Sequence, residues 1–460
     1  MIADPDPHPT EDAAGPRAVS GMPVKSGAWS VVLRVIGTGL ALLVGIQLAR
    51  YLGPAGLGLY ALAVAIVMPL ASIAQFGLPM LAVRELAISC EQQDGRKVRA
   101  ILVTFAALTF WFGVLAALFL GATALAFLTG SGIFVTLLLG ALLLPFVALT
   151  GLFGAQLRGL NHLVRGQSLE IVARPAFMSL LLFIAWASTG TITPELAMGL
   201  SVASFAAATI LGLAWLRHSL PPSGDRRRQT GEVRGWLIAA APLSAAELLR
   251  QIDGVYAILV VGLLTTADQT GILRVAVSAV IIIAIPSSIL HVIMAPNLAR
   301  LYAAGDRAGL RAALSGSARI MVAALGTGLL VVALFGEWLL AVWFGSAFVS
   351  AWQPLLILTV AHLVGAFFGL GNVFLAMSGR ERPFAVIQFI ATAAGIAAAF
   401  PLVAMFGTSG AAWAVVLGSL TSGVLAWVTI RRQTGLDSSA LGLPSSGAGS
   451  GQRFGSSAEG

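Results

Sequence analysis

The chain has 460 residues, of which 58% are hydrophobic and only 10% charged, with a mean hydropathy of +0.93. A soluble globular chain carries about 25% charge, so the composition excludes one and indicates a polytopic membrane protein. The net charge of +8 comes from bases set in alternate gaps between apolar runs. That pattern suits anchoring against anionic lipid, and no basic–aromatic interleaving points to nucleic acid.

The polar N-terminus, residues 1–27, carries Asp4, Asp6, Glu11 and Asp12 and reads as a disordered cytoplasmic tail. The apolar run that follows is too long for the core of a cleavable signal, so it is taken as the first membrane helix. A bilayer core about 30 Å thick needs about 20 apolar residues per helix. In the first half, runs of that kind cover residues 28–49, 57–80, 100–128, 133–157, 169–187 and 195–216. In the second they cover 236–264, 271–295, 320–344, 352–377, 383–404 and 409–430. The runs lack period-2 alternation and are too long for barrel strands. The expected fold is therefore all-α, with twelve transmembrane helices.

Lys and Arg mark the cytoplasmic side of short loops. Arg84, Arg96, Lys97 and Arg99 follow run two; Arg158, Arg165 and Arg174 follow run four; Arg226, Arg227, Arg228 and Arg234 follow run six. Arg300, Arg307 and Arg311, then Arg380 and Arg382, then Arg431 and Arg432 continue the series, while the gaps 265–270, 345–351 and 406–408 hold no base. Arg50 is the exception on the opposite side. Both termini are expected in the cytoplasm. Residues 433–460, rich in Gly and Ser, read as a disordered tail. Cys90 is the single cysteine, so no intramolecular disulfide is possible.

The longest polar stretch, residues 218–235, contains Pro221-Pro222, Gly224 and Arg226–Arg228 and reads as a cytoplasmic linker. It divides a six-helix lobe, 28–217, from a second, 236–432. The halves echo each other. Gly58-Leu59-Tyr60-Ala61-Leu62-Ala63-Val64, then Pro69 and Pro79, is matched by Gly271-Ile272-Leu273-Arg274-Val275-Ala276-Val277, then Pro286 and Pro296. Duplication with an axis along the membrane normal follows, and the paired prolines read as bends lining a cavity.

The gaps on the side opposite the basic loops are short, which leaves no place for a transferase's acid and base. No Walker loop is present and the five histidines are scattered, so neither nucleotide hydrolysis, a metal nor a cofactor is expected. Transport is favoured over catalysis. Charges in mid-bilayer usually face a cavity or a partner. Glu247, Arg250 and Asp253 fall at i, i+3 and i+6 in run seven, with Glu247 roughly 16 Å deep at 1.5 Å per residue. Arg250 can pair with either acid, as an internal salt bridge or as cavity lining. Arg34 in run one and Arg274 in run eight are the other intramembrane cations; each lies near an end and can snorkel. Gln47, Gln75, Asn372 and Gln388 suit interhelical hydrogen bonds.

The segment Arg50-Tyr51-Leu52-Gly53-Pro54-Ala55-Gly56-Leu57-Gly58-Leu59-Tyr60 resembles the junction of the first two spans in bacterial polysaccharide flippases, the Wzx-type O-antigen and exopolysaccharide exporters. Gln75-Phe76-Gly77-Leu78, Ile252-Asp253, Met377-Ser378-Gly379-Arg380 and Gly407-Thr408-Ser409-Gly410-Ala411-Ala412 fit the same pattern. That family shares a superfamily with MATE-type multidrug exporters and the lipid II flippase. The resemblance implies two lobes rocking between inward- and outward-open states in the bacterial inner membrane. It also implies a polyprenyl-pyrophosphate-linked oligosaccharide as cargo, polysaccharide polymerase and chain-length components as partners, and a working monomer. Under it, Arg34, Arg250 and Arg274 are candidates for the pyrophosphate, and Asp253, then Glu247, for ion coupling. Arg274 departs from the pattern, since many relatives carry Tyr there. The alternative is a cation-coupled multidrug exporter.

Overall fold

The computed structural model describes residues 24–219 and 233–442, and all of its regular elements are helical. This is what lipid demands, because a helix satisfies its own backbone hydrogen bonds. The first half comprises α1 (Val24–Gln75), α2 (Leu78–Glu91), α3 (Gly95–Phe127), α4 (Phe134–Gly159), α5 (Leu163–Ser168), a π-helical turn (Leu169–Ala173), α6 (Arg174–Thr189) and α7 (Pro194–His218). The second comprises α8 (Val233–Leu264), α9 (Ala267–Ile283), α10 (Ile285–Ala303), α11 (Arg307–Trp343), a 3-10 turn (Ser346–Ala351), α12 (Trp352–Phe368), α13 (Gly371–Met377) and α14 (Glu381–Thr434).

Among the described residues, eight helices are long and apolar enough to cross a membrane, or nine if the pair α9–α10, bent by 51°, is one span. Two of these are compound. α1 turns at Gly53 (φ 67°) and α14 at Gly407 (φ 56°), each a glycine in a conformation that L side chains rarely adopt. α8 is 32 residues long but carries Glu247, Arg250 and Asp253 in its middle. Helix starts are set by side-chain caps. Asp94 accepts from Lys97 N at 3.0 Å before α3, and Asp306 from Gly309 N at 2.8 Å before α11. These two helices correspond under the duplication.

The paired prolines do not act as expected. The first-half break falls at Phe76-Gly77 (φ 47° and 68°), and Pro79 lies in the first turn of the next helix. The second-half break falls at Ala284, with Pro286 likewise in the first turn. A proline there loses no hydrogen bond, so Pro79 and Pro286 start helices. Pro69 and Pro296 lie inside α1 and α10. None of the four lines either main cavity.

The largest buried cluster joins the halves: Ala49, Leu57 and Ala61 of α1 lie with Val261 of α8 and Leu273, Val275 and Ala276 of α9. Its tightest point is glycine on glycine. A Cβ on Gly58 would fall 1.7 Å from the Ala267 carbonyl oxygen, and one on Gly271 would fall 2.0 Å from that of Pro54. Pro54 stands to Ala267 as Gly58 stands to Gly271, so the contact is reciprocal. Equivalent residues of a repeat meet in this way only on the axis that relates them.

The termini need one correction. α1 already begins at Val24, inside the expected tail, and residues 1–23 lie outside the described residues, as do 220–232 of the linker and 443–460. The start of the expected C-terminal tail is ordered: Leu436, Asp437, Ser438 and Ser439 are buried against the second half. Asp437 accepts from Trp427 Nε1 at 2.9 Å and from Ser439 N and Oγ at 2.9 and 2.7 Å. Ala440 is tied to Phe367 through its N–H and to Arg319 through its C=O. A carboxylate with three donors holds the segment in place despite its Gly/Ser composition. Asp437→Ala should therefore destabilise the second half by on the order of 2 kcal/mol, read as a lower thermal midpoint in detergent with insertion unchanged.

Candidate functional site

Two cavities hold the polar chemistry of the bilayer interior. The first lies between the halves, has a volume of about 140 Å³, and is lined by α1, α4, α6, α7, α8 and α9. The π-helical turn leads into its wall. That turn packs on α1 at Gly37, where a Cβ would stand 2.1 Å from Ile171. It hands Arg174 and Pro175 to the cavity wall at the start of α6. Extra-residue π turns recur at functional sites because they re-aim side chains.

Arg174 and Arg274 both line this cavity, one from each half. Arg274 is about 10 Å from the start of α9 and Arg174 about 22 Å from the end of α6, at 1.5 Å per residue. The Arg174 guanidinium lies 5.1 Å from the centre of the Phe205 ring. Neither arginine forms a salt bridge with a described carboxylate. Hydroxyls complete the wall: Tyr60 and Ser201 share a hydrogen bond of 2.9 Å, and Ser204 and Ser278 stand nearby. A cavity with two guanidinium groups and hydroxyl donors is built for an anion.

The second cavity, about 240 Å³, lies within the second half. Asp253 lines it with Tyr256, Asn372, Gln388, Ser419 and Ser422. Asp253 Oδ1 accepts from Thr392 Oγ1 at 3.0 Å, and Asn372 Nδ2 donates to Ser422 Oγ at 3.0 Å. The Asn372 Oδ1 is buried and has no hydrogen-bond partner among the described residues. Ser438 of the ordered C-terminal segment closes on Gly369 and Gly371, which also line the cavity.

The trio of run seven is split. Arg250 pairs with Glu247 through both guanidinium arms, Nε to Oε2 at 2.8 Å and Nη2 to Oε1, and Gln251 adds a bond to Glu247 at 3.2 Å. Asp253, six residues on, turns away into the second cavity. Arg34 is exposed on α1 and lines neither cavity. Gln47 and Gln75 donate to the carbonyls of Ser179 and Ala148 on neighbouring helices, the interhelical role expected of them.

Charge bias alone assigns Arg174 to a cytoplasmic gap, although it falls inside run five. The structure places it in the span Leu163–Thr189, because α5 and the π turn lengthen the helix toward the basic side. Glu170 in that turn pairs with Arg158 at 2.9 Å. The two kinds of arginine should therefore answer oppositely to a neutral replacement. Arg158→Met, which orphans Glu170, should cost about 1–3 kcal/mol, whereas Arg174→Met or Arg274→Met should raise stability by about 1 kcal/mol. Thermal midpoints of the three variants decide it.

Comparison with known proteins gives a family and a fold. Residues 24–300 match the family described as "Polysaccharide biosynthesis protein", and the chain belongs to that family. No curated protein matches the chain. Its fold is shared with an inward-facing multidrug resistance MATE family transporter of the MOP superfamily, at TM-score 0.72 and 15% identity over 88% of this chain and 98% of that one. It is also shared with the lipid II flippase MurJ in an inward closed conformation, at TM-score 0.66 and 12% identity over 87% of each chain. An outward-facing MATE family transporter gives TM-score 0.59 at 14% identity, covering 90% and 96%. The shared feature is the fold, all-α and polytopic.

Proposed function

We propose that this chain moves a polyprenyl-pyrophosphate-linked oligosaccharide across the bacterial inner membrane by alternating access, for cell-surface polysaccharide synthesis. The observation that carries the reading is the pair Arg174 and Arg274, two cations without carboxylate partners among the described residues, facing one cavity between the halves. Family membership supports the polysaccharide cargo. The greater likeness to the inward-facing transporter than to the outward-facing one supports an inward state. We further propose twelve spans in two six-helix lobes, a working monomer, and cytoplasmic termini as the basic loops require.

In this reading the pyrophosphate enters from the basic face. Arg34 and Arg250, both exposed, meet it first, and Arg174 with Arg274 hold it in the cavity through the planar fork that suits phosphate oxygens. Export of about two negative charges is downhill against an inside-negative potential, by roughly 4–5 kcal/mol per 100 mV. The empty carrier must then reset. Asp253, in its hydroxyl- and amide-lined cavity, is the group proposed to take up a proton or small cation for that step, and Glu247, already paired, is the second choice.

Membrane vesicles loaded with a lipid-linked oligosaccharide test the reading. Arg174→Ala and Arg274→Ala should each lower transport at least ten-fold while the protein still inserts. Arg250→Ala should lower it less, and Asp253→Asn should alter its pH dependence more than cargo binding. Normal transport by both cavity variants would remove the pyrophosphate from this site. The second reading, a cation-coupled multidrug exporter, is favoured by the fold shared with MATE transporters. The two cavity cations oppose a cationic drug. Robust ethidium efflux from cells expressing the chain, with surface polysaccharide intact in the deletion strain, would establish it instead.

A further inference from the structure

We infer that Arg50 is a latch that holds the external face closed between the two halves. Arg50 is the lone base that breaks the charge alternation, and the structure gives it a partner. Its Nε donates to the Trp343 carbonyl at 2.8 Å and its Nη2 to that of Val342. These are the last two residues of α11, where carbonyls lack intrahelical donors and the helix dipole favours a cation. One guanidinium of the first half thereby caps a helix of the second.

Three further features make this a gate contact. Arg50 lies four residues before Pro54, whose carbonyl meets Gly271 in the reciprocal glycine contact, so latch and seam lie on the same face. The neighbouring Tyr51 stacks on Trp186 of its own half, at 5.4 Å between ring centres and 6° between planes. The turn that carries Arg50 is thus braced on α6, and pulling the halves apart must break the Arg50 bonds. Third, the residue equivalent to Arg50 in the second half is Leu263, so the duplication supplies no second latch. Directly inside the seam lies the cavity of Arg174 and Arg274, whose lining includes Ser278 of α9, beside Gly45 of α1.

The inference rests on the alternating-access reading above and not on the identity of the cargo. It predicts that weakening Arg50 opens the cavity to the outside. The probe is Ser278→Cys in a Cys90→Ser background, labelled from outside in right-side-out vesicles with a membrane-impermeant maleimide. Arg50→Gln should raise the labelling rate roughly ten-fold, as expected for loss of charge-assisted hydrogen bonds. Arg50→Lys, which keeps charge but loses the fork, should fall between. Gly58→Leu serves as a wedge that forces the seam apart whatever Arg50 does. Labelling raised by the wedge but not by Arg50→Gln overturns the latch and leaves alternating access standing. If neither variant admits the maleimide while transport continues, alternating access through this seam fails, and the latch with it.

Discussion

The halves of this chain touch backbone to backbone at Gly58 and Gly271, and the cavity between them, with its polar lining, is placed by that contact. Neither position tolerates a Cβ, since one would fall 1.7 or 2.0 Å from a carbonyl oxygen of the facing helix. A contact this close fixes the register of α1 against α9 and draws α8 and α6 in around it. Arg274 lies one helical turn inward of Gly271, and Tyr60 two residues inward of Gly58. The guanidinium and the phenol therefore move with the seam. Where the seam is closed, the cavity below it is capped on that face and its polar groups are gathered.

Duplication supplies the frame, and departures from it supply the chemistry. The two glycines, the backbone carbonyls of Pro54 and Ala267 that face them, and the Asp caps of α3 and α11 all recur in both halves. The charged residues proposed for transport do not recur. Arg274 stands where the first half has Ala61, and Arg50 where the second half has Leu263. Asp253 falls where the first half has Leu40. A symmetric frame can rock between two equivalent openings, but only asymmetric charges can give the two faces different affinities.

The helices were legible because a bilayer allows so few alternatives. Run lengths set by its thickness were enough to identify an all-helical chain, in which eight or nine described helices are long and apolar enough to span. The echo around Gly58 and Gly271 was also visible, although its meaning, a contact on the axis, needed coordinates. Other features depended on helix rotation or on irregular backbone. Periodicity allowed Arg250 to choose either acid, and rotation of α8 gave it Glu247 while turning Asp253 toward Thr392. Arg174 was hidden by the π turn, which carries no composition signal and moves the basic end of the span upstream. The buried Asp437 was hidden by the Gly and Ser around it, for composition reports average solvation and not the one carboxylate that gathers three donors.

The two charge arrangements across the halves pull in opposite directions. Beside the glycine seam, Arg50 gains helix-end carbonyls as the halves approach, so its contribution favours closure. In the cavity, Arg174 and Arg274 are like charges lining one space with no described carboxylate as partner, so their contribution opposes it. An anion placed between the two arginines reverses the second contribution and leaves the first unchanged. The empty and loaded chains therefore differ most at the cavity, while the latch acts equally on both. Coupling of this kind requires no signal relayed through the fold. It requires only that one set of charges has a partner in the protein and that the other, in the proposed function, has its partner in the cargo.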